Sequence, residues 1–299
     1  MDTRVTFSFA RWSAGHLDAI ELALSCWVVA HAPAGLGEAM RYAVLDGGKR
    51  LRPLLVLAAS EAVQGTPAAA LRAACAVELI HAYSLVHDDM PCMDNDVLRR
   101  GKPTVHVRFG EAQALLAGDA LQALAFELLT PEGDEVSALQ QATLCRLLAR
   151  AAGHEGMAGG QAIDLASIGR DLSEDELQQM HRLKTGALLQ GSVMMGAACG
   201  QADARAGEAL SGYGAAMGLA FQVVDDILDV TADSSTLGKT PGKDAAHDKP
   251  TYVSLFGLER SRQYAQELLA QARGALAVSG LADTRALLAL AEMVVNRDN

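Results

Sequence analysis

The chain has 299 residues, half of them apolar but only 4% aromatic, and a formal net charge of -11. This length is near the upper limit of one hydrophobic core, the alanine- and leucine-rich composition favours helices packed on helices over sheets, and the acidic balance excludes nucleic acid as a partner, since a phosphate-tracking surface needs a basic excess. The five cysteines, Cys26, Cys75, Cys92, Cys145 and Cys199, form no CxxC pair and fit reduced thiols; with no apolar run approaching the ~18 residues that span a bilayer and no signal-peptide core at the start, the expectation is a soluble cytoplasmic protein without stable membrane insertion.

Residues 1–15 fit no pattern and are expected to be frayed. Residues 17–30 carry an apolar face at helical spacing, and Gly35 and Gly37 separate them from a second helix over 38–45. In the stretch DGGKRLRPLLVLAA, Gly47 and Gly48 supply a flexible turn, and Lys49, Arg50 and Arg52 stand just before Pro53 opens an apolar helix. Backbone amides at a helix start together with fixed cations suit an anion such as phosphate, with a solvated basic loop as the alternative.

Residues 71–86 contain no Gly or Pro and read as a buried helix. It delivers Asp88 and Asp89 at its C-terminal end, where acids oppose the helix dipole. His81 lies two turns before Asp88 on the same stripe, either as a core histidine or as part of the same site. Asp94 and Asp96 follow, then Arg99 and Arg100. On an unbroken helix Asp88 and Asp94 would point roughly 240° apart, but Pro91 ends the helix and lets Asp94 swing back toward Asp88. Oxygen ligands gathered in this way favour Mg2+ or a similar hard cation, the alternative being a solvated acidic loop.

The stretch GKPTVHVRFG reads as a loop, 111–129 and 139–152 as helices, and GGQAIDL puts Gln161 and Asp164 on one helical face. Ser173 and Glu176 form a capping box for the next helix, which ends near HRLKTGALL. Lys184-Thr185-Gly186 matches a triplet of penicillin-recognising serine enzymes, but the chain has no SxxK, so that reading is rejected. In LAFQVVDDILDV, Asp225 and Asp229 share a helical face with Asp226 on the flank. Unpaired and buried, such carboxylates would cost several kcal/mol each, so a metal or other cation is implied. A Gly/Pro/Lys loop with Lys239, Lys243 and Lys249 could close over an anion. Two helices, 253–277 and 283–296, then follow without an evident site.

DDMPCMD followed by two arginines, with DDILD late in the chain, resembles the trans-isoprenyl diphosphate synthases, and most closely the bacterial farnesyl diphosphate synthases. The resemblance runs from GGKRLRP through HAYSLVHDD, LRRG, GGQAIDL, HRLKTGALL and FQVVDDILD to DKPTY, in order. It implies one all-α domain over 1–299, an isoprenoid-synthase-type bundle around a central cavity, acting as a homodimer. It also implies that Asp88, Asp94 and Asp225 ligate Mg2+, three ions per site, with Asp89, Asp226, Asp229, Asp164 and Gln161 in support. Arg99, Lys184, Lys239 and Lys249 would contact the diphosphate of an allylic substrate, and Lys49, Arg52, His81 and Arg100 that of isopentenyl diphosphate. The Thr185 carbonyl and the Gln222 side-chain oxygen would face the allylic cation. Asn95 within the first acidic run and Val253 after KPTY depart from the usual pattern.

Bulk at Tyr83 and Ser84, five and four residues before Asp88, resembles that of C15 synthases and implies farnesyl diphosphate as product. Geranyl or geranylgeranyl diphosphate synthases are the rival enzymes. A terpene cyclase would lack Lys49, Arg52 and His81, and a non-catalytic subunit would have eroded motifs.

Overall fold

The computed structural model describes residues 7–45, 47–170, 172–231 and 251–297. The frayed N-terminus expected from sequence is corrected from Phe9 onward, where helix α1 runs Phe9–Trp27 behind a Ser8 cap. Long-range contacts that have no local signature hold its first turns: Trp12 Nε1 and His16 Nε2 each bond Glu61 at 2.7 Å. Then come α2 (Leu36–Val44), α3 (Leu51–Ala62) and α4 (Pro67–Asp88). Helix α4 starts earlier than read from sequence because Pro67 occupies its first turn, where a missing amide costs nothing.

The stretch read as a loop after Arg100 is partly ordered. Strands β1 (Leu98–Arg99) and β2 (Lys102–Pro103) pair antiparallel around Arg100 and Gly101, both at positive φ, before α5 (Val105–Phe109). Two central residues with positive φ suit the right-handed twist of a tight hairpin. The chain continues as α6 (Glu111–Leu129), α7 (Ala138–Ala152), α8 (Met157–Ala166) and α9 (Glu174–His181), the last with its capping box intact. A π-type turn (Arg182–Gly186) joins α9 to α10 (Ala187–Ala198), and α11 (Ala204–Thr231) follows. The single C-terminal helix over 253–277 proves to be two, α12 (Tyr252–Phe256) and α13 (Leu258–Val278), broken at Gly257, whose φ is 76°. Helix α14 (Arg285–Val295) is the last described element.

Among the described residues the fold is all-α apart from this ribbon of two two-residue strands. Helix α11 packs along α13, α4 along α6, and α10 against α3 and α11, around a continuous core. The absence of any apolar run of membrane-spanning length is corrected: α4 and α6 both have the length and hydropathy to cross a bilayer. For α4 the reason is its place at the centre, with alanine, valine, leucine and isoleucine buried on every side.

Candidate active site

The first acidic cluster forms where α4 stops, with Asp88 its last residue and Asp89 its cap. Beyond it the chain turns back on itself: the amides of Met90, Asp94 and Asp96 donate to the carbonyls of His87, Asp88 and Asp89. Asp94 therefore returns beside Asp88, as Pro91 led one to expect. Burial, reinforced by repulsion from Asp94 and Asp89, pushes the Asp88 carboxyl up to about 6 against the pull of Lys184 and Arg99. Asp89 is 3% exposed and held by Arg99, Nε to Oδ2 at 2.9 Å and Nη2 to Oδ1 at 2.6 Å.

The hairpin sends the two adjacent arginines to different places. While Arg99 holds Asp89, Arg100 Nη1 donates to the carbonyl of Gly47 at 2.5 Å, in the basic loop before α3.

Lys184 and Thr185 lie on the π-type turn, a geometry that recurs at functional sites. A Cβ on Gly160 would fall 2.1 Å from the Lys184 amide nitrogen, so only glycine lets α8 lie this close to the turn. Across that contact Lys184 Nζ donates to Asp164 Oδ2 at 2.5 Å. Gln161, one turn before Asp164, has its Nε2 buried without a hydrogen-bond partner among the described residues.

On α11 the Thr185 hydroxyl donates to Gln222 Oε1 at 3.0 Å, and Gln222 Nε2 donates to Asp226 Oδ1 at 2.8 Å. The Tyr252 amide donates to the other Asp226 oxygen at 2.8 Å. Asp226 and Asp229 are buried. Asp225 is partly exposed and accepts from Arg297 Nη2 at 3.1 Å. The α4 terminus, α8, the π-type turn and α11 thus converge on one region. Among the described residues, no three His, Cys, Asp or Glu side chains stand close enough to hold a metal by themselves. Lys239 and Lys249, like Lys243, lie outside the described residues.

Next to α11 is a cavity of about 430 Å³ whose wall includes Lys49, Arg52, His81 and Arg100, the four residues read as a second anion site. Burial and then the charges of Arg52, Arg100 and Arg99 hold the His81 imidazole well below its usual range, so it is neutral at pH 7. Burial likewise lowers Lys49, and Arg297 adds to the effect while Asp225 opposes it. Arg52 also feels Asp225, which offsets part of its desolvation. The basic loop and the second acidic cluster are therefore neighbours.

The C-terminal third, expected to carry no evident site, contributes Arg297. Arg297 lines this cavity, lies 4.4 Å over the Phe221 ring and bonds both Asp225 and the Phe221 carbonyl. The available signal was a lone cation directly after the apolar α14. Arg50 and Glu78 also line the cavity. On α4, the Ser84 hydroxyl donates to the His81 carbonyl at 2.9 Å, and Tyr83 stands edge-on to His87 at 5.7 Å between ring centres. Burial and then Asp88 raise the Tyr83 phenol.

The sequence model of the polyprenyl synthetase family matches residues 33–280. The farnesyl diphosphate synthase of Escherichia coli (strain K12) is 50% identical over 267 residues, covering 87% of this chain and 89% of that protein. A chloroplastic geranylgeranyl pyrophosphate synthase of Catharanthus roseus is 45% identical over 295 residues, covering 98% and 83%. The solved geranyltransferase of Helicobacter pylori, complexed with magnesium and isoprenyl diphosphate, has a TM-score of 0.83 and 34% identity, with 98% of each chain covered. An isoprenyl diphosphate synthase fold that carries both acidic motifs, and matches of this extent, together establish that the chain belongs to the polyprenyl synthetase family and is an enzyme of the trans-prenyltransferase type.

Proposed function

We propose that the protein condenses isopentenyl diphosphate with dimethylallyl and then geranyl diphosphate, in a Mg2+-dependent reaction, to give farnesyl diphosphate and diphosphate. The observation that carries this reading is the abutment of two charged sites, since Lys49 and Arg52 of the cationic cavity both lie in the field of Asp225. Joining two diphosphate esters head to tail needs two anion sites side by side that differ in chemistry.

The carboxylates fit a hard divalent cation. Asp88 is raised to about 6 by burial and by its acidic neighbours, a cost that a metal would relieve. Asp89, Asp164 and Asp226 are buried and already accept from Arg99, Lys184 and Gln222, which suits them to supporting positions, whereas Asp225, although it accepts from Arg297, is partly exposed. We assign the direct ligands as Asp88, Asp94 and Asp225, with Asp229 and Gln161 also in support, and three ions per site. Mg2+ held there would neutralise the charge that develops on the leaving diphosphate.

The remaining steps belong to the chain. Lys184 and Arg99, with Lys239 and Lys249, contact the allylic diphosphate and stabilise its departure as diphosphate. The Thr185 carbonyl and Gln222 Oε1 present dipoles, not nucleophiles, to the allylic cation. Lys49, Arg52, His81 and Arg100 hold isopentenyl diphosphate so that its double bond attacks that cation. The released diphosphate accepts the proton lost in forming the product.

The C15 assignment rests on α4. If the allylic diphosphate is anchored at Asp88, its tail runs down α4, where Ser84 lies about 6 Å and Tyr83 about 7.5 Å below. The small Ser84 leaves its level open and the Tyr83 ring limits the depth. A geranylgeranyl product is the second reading, favoured by the similarity to the Catharanthus roseus enzyme. Chromatography of dephosphorylated products, after incubation with both C5 substrates and Mg2+, decides between them. Mainly C15 supports this reading, and mainly C20 overturns it. We further propose a cytoplasmic homodimer, in keeping with the exposed Leu115 and Leu116 on α6; light scattering at the monomer mass would overturn the dimer.

A further inference from the structure

We infer that Arg50, rather than contacting substrate, is the positioning residue that shapes the isopentenyl diphosphate pocket. This rests on the assignment of the cavity lined by Lys49, Arg52, His81 and Arg100 given above. The Arg50 side chain is 2% exposed, and all three of its nitrogens are engaged. Nη1 donates to Glu78 Oε1 on α4 at 2.6 Å, Nε to Glu21 Oε1 on α1 at 2.6 Å, and Nη2 to the Val44 carbonyl at the end of α2 at 2.7 Å. One guanidinium thus joins three helices beneath the loop, with three of its five N–H donors committed and the side chain almost closed to solvent.

Its backbone is left-handed, φ 46° and ψ 34°. A non-glycine residue holds that conformation only when its surroundings impose it, and the three bonds supply the imposition. The kink lies directly between Lys49 and the first turn of α3, which carries Arg52. The loop is also gripped from outside by Arg100 on Gly47, and a Cβ on Gly48 would come within 3.0 Å of that guanidinium.

Arg50 has a second effect. Glu78 is 4% exposed, lines the same cavity and acts electrostatically on both Arg52 and Arg100. By pairing with Glu78, Arg50 keeps a buried negative charge from repelling the incoming diphosphate.

The test measures isopentenyl diphosphate binding by calorimetry in EDTA, which removes the metal site from the readout, alongside steady-state kinetics with Mg2+. Arg50→Met is expected to raise the Kd for isopentenyl diphosphate at least tenfold and its KM in parallel. The KM for geranyl diphosphate and the kcat at saturation should stay within twofold. Arg50→Met/Glu78→Gln removes the buried charge imbalance and guards against misfolding; its Kd should still be raised several-fold because the loop has lost its anchor. A double mutant with wild-type Kd, or an equal rise in both KM values, overturns the positioning role. Arg52→Ala is the control: if it leaves the Kd unchanged, the pocket assignment itself fails, and the inference with it.

Discussion

The cationic cavity and the acidic region each bury charges of one sign, and the protein relieves them in different ways. In the cavity, Arg50 is matched to Glu78 and Glu21, and Arg100 is pinned to a backbone carbonyl. In the acidic region, Asp88 is crowded by Asp94 and Asp89 while being buried, and its proton affinity rises as a result. The cavity keeps a cost of its own, since burial holds Lys49, Arg52 and His81 below their usual ranges until an anion arrives. A site completed by a divalent cation keeps its repulsion until that cation arrives, and folding has to carry the cost.

This contrast can be broken most severely at the carboxylates. Asp88→Ala and Asp225→Ala should each lower turnover by about two to three orders of magnitude with the fold retained, the scale of losing a strong electrostatic stabiliser. Near-normal turnover of either folded mutant would end the metal-clamp account.

On the cationic side, Arg52→Ala removes charge-assisted contacts of about 1.5–3 kcal/mol and should raise the KM for isopentenyl diphosphate by roughly 10- to 100-fold. Lys184→Ala should act chiefly on the allylic substrate. Steady-state kinetics with the pattern reversed would show that the two regions had been assigned the wrong way round.

A change of product without loss of chemistry comes next. Ser84→Phe should shift the product to geranyl diphosphate, and Tyr83→Ala should admit longer chains, both read by chromatography. An active Ser84→Phe enzyme that still makes mainly C15 would remove this helix face from the tail pocket.

The smallest effect isolates the folding cost itself. Burial pushes the Asp88 carboxyl up to about 6 in the folded chain, against 3.8 for an unperturbed aspartate, so the folded form carries a disfavoured charge above pH 6. The sign is destabilising at high pH, fading as pH falls from 6 toward 3.8. Asp88→Asn should therefore raise the Tm in EDTA by several degrees at pH 8, where the gap between 3.8 and about 6 corresponds to at most about 3 kcal/mol. The gain should vanish near pH 4, and a gain independent of pH would mean that packing, not charge, is responsible.

Much of this site was legible because its chemistry is written locally. Pro91 foretold the return of Asp94 beside Asp88, and the Ser173–Glu176 capping box was present as spaced. What escaped depends on distance along the chain. Arg50 looked like one more loop cation because Glu21 and Glu78 lie 29 and 28 residues away. Arg297 meets Asp225 across 72 residues, and α1 starts early because Trp12 finds Glu61 across 49. The Arg99–Arg100 hairpin was hidden for another reason: two paired residues per strand are too short for any alternation to register.

Helix α4 runs as a single uninterrupted helix from Pro67 to Asp88. If Asp88 marks where the reaction takes place and Ser84 and Tyr83 mark where the tail must stop, the zero of the ruler and its graduations are cut into the same rigid rod. Motions of the surrounding loops can slow or quicken a cycle without stretching that scale. Product length and catalytic speed should then vary independently, and substitutions outside α4 should alter how much product is made far more readily than how long it is.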